Sequence, residues 1–223
     1  MFDIFVEYWW QFLIVCIGSY FVGATNFAVL FSRLFKAQDV RKFGSGNAGA
    51  TNMFRVYGLA LGILTFVCDV LKGVVCILLS KWIFYNLFPF DALTQLTYLA
   101  GLFAVVGHVF PLYYKFRGGK GVAPAIGCLF CLHPILATCM VVPLVLIILV
   151  TDRTALASIS LSIFMLTWIW STLFAQTDIV CAIAFTLVFL LVLFAHRGNI
   201  ARLLTGREKK TGIVKAIFAK KDN

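Results

Sequence analysis

The sequence predicts an all-α polytopic membrane protein with seven transmembrane helices, its N-terminus outside and its C-terminus cytoplasmic. Three observations carry that prediction. Hydrophobic residues make up 62% of the 223 and charged residues only 13%, and the mean hydropathy is +0.98, beyond the range of soluble globular domains. A spanning helix needs about 20 apolar residues, so residues 1–223 have room for one integral membrane domain and little else. The 19 Lys and Arg fall almost wholly between or after the apolar runs, the pattern of cytoplasmic loops.

The first apolar run is Trp10–Leu30. The Met1–Trp10 start carries Asp3 and Glu7 and no Lys or Arg, so it lacks the basic region of a cleaved signal peptide and reads as a retained span. The second run, Val56–Ser80, opens on Gly58-x-x-x-Gly62, a spacing that suits close helix packing. Leu96–Tyr114 follows. Val122–Leu132 and Ile135–Val150 are short, and taken alone they fit either two helices or one long helix kinked at His133-Pro134 and Pro143. Ala155–Phe174 and Ile179–Ala195 complete the set.

Charge decides between the two arrangements. With two separate helices, Arg33, Lys36, Arg41, Lys42, Arg55, Lys115, Arg117, Lys120, Arg153 and the eight basic residues from Arg197 to Lys221 all face the cytoplasm. Merging the short runs would send the last eight outside, against the positive-inside rule. The net charge of +10 therefore reads as a basic surface beside anionic membrane lipid, with no nucleic-acid partner expected. The seven cysteines all lie in apolar runs and behave as small core residues. Cys128-x-x-Cys131 is half a metal site, and His133 does not complete it. No metal and no cofactor is expected.

Three polar islands interrupt the apolar sequence. The second, Gly107–Gly121, ends in Arg117-Gly118-Gly119-Lys120-Gly121 directly before an apolar helix. Glycines let successive N–H groups approach an oxyanion, the helix N-terminus adds its positive end, and Lys120 adds a point charge. A P-loop would place Ser or Thr after the lysine to hold Mg²⁺; Gly121 stands there instead. The expectation is phosphate binding by Gly118, Gly119, Lys120 and Gly121 without an obligatory metal.

The first island, Gly44-Ser45-Gly46-Asn47-Ala48-Gly49-Ala50-Thr51-Asn52, ends with Arg55 at the mouth of a span. Ser45 and Asn47 can hydrogen-bond hydroxyls, and Arg55 can grip phosphate bidentately; a flexible linker would share the glycine and serine. The third island, His196–Lys210, starts where the last span ends. On a continuing helix His196 and Asn199 share a face, where His196 can orient or deprotonate a hydroxyl. Taken alone, an amphipathic basic tail after the last span explains it better. Glu208, among Arg207, Lys209 and Lys210, reads as a local ion-pair partner. Asp69 and Lys72 lie three apart inside the second span and can pair in support of the site. His108, near the end of the third span, reads as support for the lysine loop.

In order, GSGNAGATN-x-x-R, then GH-x-FP followed by FRGGKGVA, then HR-x-NI-x-RL-x-x-G-x-E resemble the motifs of the bacterial PlsY family, the acyl-phosphate-dependent glycerol-3-phosphate acyltransferases. The resemblance covers the whole chain, including Asp69-x-x-Lys72-Gly73 of the second span. It implies transfer of a fatty acyl group from acyl phosphate to the sn-1 hydroxyl of glycerol 3-phosphate, giving lysophosphatidic acid and phosphate. This is the first acylation of phospholipid biosynthesis, in the bacterial inner (plasma) membrane, by a monomer whose site faces the cytoplasm.

Carried over, Ser45, Arg55, Lys120, His196 and Asn199 are the catalytic set, and Gly44, Gly46, Asn47, Thr51, Asn52, Gly118, Gly119 and Gly121 bind substrate. Asp69, Lys72, His108 and Glu208 support them. Arg117, Pro124 and Ala195 depart from the commoner Lys, Thr and Arg of the family. Phosphate is already a good leaving group, so direct attack without an acyl-enzyme is expected. The alternatives are a transporter of a phosphorylated solute, which would hold its ligand on broken helices at the membrane midplane, and a lipid-binding scaffold.

Overall fold

The computed structural model describes residues 6–87, 93–173 and 179–218, and every regular element among them is helical. Asp3, Phe174, Lys220 and Lys221 lie outside the described residues. The helices are α1 (Trp9–Ala24), α2 (Phe27–Lys36), α3 (Ala50–Tyr57), α4 (Leu59–Leu87), α5 (Leu93–Val109), α6 (Val122–Leu132) and α7 (Pro134–Thr151). After them come α8 (Thr154–Trp168), running into a π-helical turn (Ile169–Leu173), then α9 (Ile179–Ala195), α10 (Arg197–Leu204) and α11 (Ile213–Phe218).

Five helical stretches are long and apolar enough to cross a membrane: Trp9–Lys36, Leu59–Ile83, Thr94–Tyr114, Pro134–Thr151 and Thr154–Ser171. A sixth counts if α9 and α10, bent by 57°, are one span. Helix α6 falls short. Its 11 residues rise about 16 Å at 1.5 Å each, near half of a hydrocarbon core about 30 Å thick. The count that composition and length support is therefore five or six, below the seven expected. The two short runs do separate, because His133 (φ −142°, ψ 73°) ends α6 before Pro134 opens α7.

The first expected span is also interrupted. Asn26 leaves the helix in an extended conformation and caps α2, its Oδ1 accepting from the Val29 amide at 3.0 Å. The break frees the Thr25 carbonyl for another partner. Two helix pairs then meet backbone to backbone. Helix α1 lies along α5, where a Cβ on Gly23 would sit 2.1 Å from the Ala104 carbonyl and one on Gly107 equally close to that of Tyr20. Helix α4 lies along α6, with Gly73 against Pro124 and Gly127 against Val70. In lipid, where apolar area gives little drive to associate, such close approach is what holds helices together. A Gly→Ala change at any of the four would force a pair apart. Gly62 presses on Phe54 of the neighbouring α3 rather than on a distant span.

Candidate active site

Where the islands meet, the bundle encloses a cavity of about 1140 Å³. Gly44, Ser45, Gly46, Asn47, Thr51, Asn52 and Arg55 line it from the first island, Lys120 and Gly121 from the second, and His196, Asn199 and Glu208 from the third. Asp69 and His108 reach it as well. Apolar side chains line it too, among them Phe66, Ile126, Leu144, Ile148 and Ile217. Three helices start on this cavity: Ala50 and Thr51 open α3, Val122 and Ala123 open α6, and Arg197 and Gly198 open α10. Amides of a first turn have no acceptor within their helix, and they sit at the positive end of its dipole.

The first island folds around its own asparagine. Asn52 is almost completely buried; its Oδ1 accepts from the Ser45 amide at 2.8 Å and its Nδ2 donates to the carbonyls of Val40 and Phe43, each at 3.1 Å. Its amide group is thus committed to the loop, which corrects the expectation that Asn52 binds substrate through it. Ser45 and Arg55 stay exposed at the cavity edge. Arg41 ties this loop to the next, donating to the carbonyls of Tyr114 at 3.0 Å and Arg117 at 3.3 Å. The Arg41 guanidinium also holds the Asp39 carboxyl far below the usual carboxylate range.

The second island differs from its sequence reading. The Gly118 amide donates to the Val109 carbonyl at 3.2 Å and that of Gly119 to the His108 carbonyl at 3.0 Å. Neither amide is left to hold phosphate, and neither glycine lines the cavity. They are small because His108 is beneath them: a Cβ on Gly119 would lie 2.1 Å from His108 Nε2. Gly121 is the exception, lining the cavity with φ +86° at the mouth of α6.

The third island breaks instead of continuing as a helix. His196 caps α10, and the chain turns by 57° there. Its Nδ1 lies 2.8 Å from the Val192 carbonyl, which can only accept, so Nδ1 carries the hydrogen and Nε2 is left as an acceptor. Burial, reinforced by the Lys120 charge, pushes the imidazole down to about 4, so it is neutral at physiological pH. Asn199 Oδ1 accepts from Lys120 Nζ, while its Nδ2 donates to Glu208 Oε1 at 2.7 Å. Glu208 in turn pairs with Arg202 at 2.8 Å, not with the neighbouring Arg207, Lys209 or Lys210 expected from sequence. Burial brings Lys120 down to about 8; Glu208 opposes that shift, and the nearby Arg202 and Arg55 add to it.

Deeper lies a second polar cluster. Lys72 Nζ sits 2.8 Å from Asp69 Oδ1, 2.7 Å from His108 Nδ1 and 2.8 Å from the Thr25 carbonyl freed by the α1–α2 break. Among the described residues no group of three or more His, Cys, Asp or Glu could hold a metal ion.

The sequence reading missed three residues here. Arg202 holds Glu208, Lys209 lines the cavity, and Asp152 anchors the chain beside it. Arg202 stood in the quoted third motif; the other two had no signal beyond their charge.

One cavity of this helical bundle thus carries both cationic and apolar side chains in its wall. The family model described as Glycerol-3-phosphate acyltransferase matches residues 13–206. The chain is 34% identical over 200 residues to the glycerol-3-phosphate acyltransferase of Finegoldia magna, covering 90% of this chain and 96% of that protein. It is 39% identical over 191 residues to that of Pseudomonas syringae, covering 86% and 93%. The crystal structure of PlsY, an integral membrane glycerol 3-phosphate acyltransferase, in its glycerol 3-phosphate form superposes with a TM-score of 0.80 at 33% identity, over 93% of this chain and 99% of that one. Its lysophosphatidic acid form gives 0.78 at 32%, with the same coverage. The chain belongs to the glycerol-3-phosphate acyltransferase family.

Proposed function

We propose that this chain transfers a fatty acyl group from acyl phosphate to the sn-1 hydroxyl of glycerol 3-phosphate. One observation carries the reading: a single cavity is lined by Arg55, Lys120 and the starts of three helices together with many apolar side chains. Both substrates are phosphates and one has a lipid tail, so each part of the cavity has a matching part of a substrate. Lys120, Arg55 and the helix N-termini bind the phosphates. Ser45, Asn47 and Thr51 orient the glycerol, and Gly44, Gly46 and Gly121 keep the walls low enough for it to approach. Asn199 and Glu208 act on substrate through Lys120, fixing where its ammonium points.

The reaction is direct. The sn-1 oxygen attacks the acyl carbonyl carbon, the carbon–oxygen bond to phosphate breaks, and inorganic phosphate leaves with the electron pair. The hydroxyl proton passes to His196 Nε2 or to a phosphate oxygen. Among the described residues no histidine is hydrogen-bonded to a serine or cysteine, which favours attack without an acyl-enzyme. A neutral His196 accepts a hydrogen bond from the hydroxyl more readily than it holds a proton; phosphate, with a second pKa of about 6, is the better final acceptor.

We read the chain as a monomer and as one domain, a reading supported by residues of all three islands of one copy lining the same cavity. We read it as crossing the bacterial inner membrane seven times, with the short α6 as one crossing, the N-terminus outside and the islands cytoplasmic. Reporter fusions in the Lys120 loop and at the C-terminus test this; reports from opposite sides would contradict it. The activity test supplies purified protein with labelled glycerol 3-phosphate and acyl phosphate, acyl-CoA or acyl-carrier protein in turn. Lysophosphatidic acid forms with acyl phosphate alone. Product from acyl-CoA alone would overturn the donor assignment.

A further inference from the structure

Part of the cavity's apolar lining, Ile213 and Ile217, comes from beyond the family-matched residues, which stop at 206. After α10 the chain runs back across the α7–α8 turn, where Asp152 adopts a left-handed conformation (φ 52°). One Asp152 carboxylate oxygen accepts from the Gly212 amide at 2.9 Å, and the other accepts from the amide of Ile213 at 3.1 Å. The Asp152 carbonyl accepts from the Thr211 amide at 2.7 Å, and Thr211 Oγ1 accepts from the Thr154 amide at 3.3 Å. With the Val214 amide 3.5 Å from the second carboxylate oxygen, one turn residue therefore grips four consecutive amides at the start of α11. Held this way, Ile213 and Ile217 line the same cavity as Leu144 and Ile148 of α7. Ile217 remains 49% exposed, as suits a residue at the open edge of a groove.

We infer that Ile213 and Ile217 contact the fatty acyl chain and select its length, and that Asp152 is the positioning residue that keeps them there. The inference rests on the acyl-transfer reading of this cavity. An acyl tail already dissolved in lipid gains little from leaving it for another apolar surface, as lipid-embedded helices gain little from associating through apolar area alone. Selection must then come from shape: how far a chain runs before it meets a side chain. A wall latched by a carboxylate provides such a stop; an untethered six-residue helix would not.

Two measurements on the full-length protein test this. The first is independent of turnover: lysophosphatidic acid with a diazirine in its chain is photolysed on the detergent-solubilised protein. Adducts should appear on the peptide containing Ile213–Phe218 and be lost in Asp152→Ala; adducts confined to other residues would overturn the inference. The second compares dodecanoyl with hexadecanoyl phosphate. Ile213→Ala and Ile217→Trp should change the ratio of their KM values by roughly threefold to tenfold, a larger change than either makes in KM for glycerol 3-phosphate. Asp152→Asn, which keeps one acceptor oxygen, should fall between wild type and Asp152→Ala. Parallel movement of both KM values would mean that the segment only holds the site together, and the inference fails. Wild-type protein that is labelled at this segment but transfers no acyl group would remove the acyl-transfer reading and leave the chain contact standing.

Discussion

Two polar clusters border one cavity, and they are built in opposite ways. Lys72 places its ammonium against Asp69, His108 and the Thr25 carbonyl, all within 2.7–2.8 Å, an ion pair and two close polar contacts with the protein itself. Lys120, which lines the cavity, has one acceptor among the described residues, Asn199 Oδ1, which leaves donors to spare. The first cluster is closed on itself and nearly without exposure; the second is a relay, Lys120 to Asn199 to Glu208 to Arg202, with its last member half exposed. A cation buried against protein groups on every contact holds the structure together. One with donors to spare can bind substrate. The two are joined through Gly119, whose missing side chain lets the lysine loop rest on His108.

That contrast can be broken at either cluster, and the variants should separate stability from turnover. Lys72→Met leaves Asp69 charged and buried without its partner, so it should lower stability by about 3–5 kcal/mol, read as a fall in the melting midpoint. The fraction that stays folded should keep its glycerol 3-phosphate KM. Lys120→Ala should do the reverse, cutting kcat/KM by about 10³-fold with the melting midpoint unchanged. Asn199→Ala leaves the ammonium in place but unaimed, and should cost about 10²-fold; Asn199→Asp should recover part of that loss by holding the lysine through charge.

The smallest effect is one of pH. Burial disfavours the Lys120 ammonium, so in the free enzyme its charge is lost as pH rises through about 8. The kcat/KM for glycerol 3-phosphate should therefore fall above that pH by about tenfold per unit. In Lys120→Arg the guanidinium stays charged and the alkaline limb should disappear. His196, already neutral above about 4, should add no inflection near the ordinary histidine value of about 6.5. An inflection there that is lost in His196→Asn, and so is not the substrate phosphate's own titration at about 6, would restore His196 as a titrating base.

The sequence made legible what depends on composition and order. Apolar length located the helices, and the three islands in their order pointed to one family and one cavity. It did not reveal where backbone hydrogen bonds go. Glycine serves equally for approach to phosphate and approach to another chain segment, so Gly118 and Gly119 read as phosphate contacts although their amides are taken by Val109 and His108. Asn52 misled for the same reason, since an asparagine that folds its own loop looks like one that binds a ligand. The bend at His196 left no mark in the sequence: helix α10 has an ordinary composition, and only its start against the cavity sets it apart. Glu208 was recognised as an ion-pair partner, yet its nearest neighbours in sequence lost to Arg202 on the facing turn.

The central claim is that Lys120 gathers phosphate for acyl transfer while Lys72 only holds the scaffold. It is tested most directly by counting inorganic phosphate and lysophosphatidic acid formed from acyl phosphate and glycerol 3-phosphate, per folded molecule, in wild type, Lys120→Ala and Lys72→Met. The two products should appear in equal amounts in wild type and in the folded fraction of Lys72→Met, and be all but lost in Lys120→Ala. Equal turnover in Lys120→Ala and wild type, or loss in folded Lys72→Met as deep as in Lys120→Ala, would contradict it.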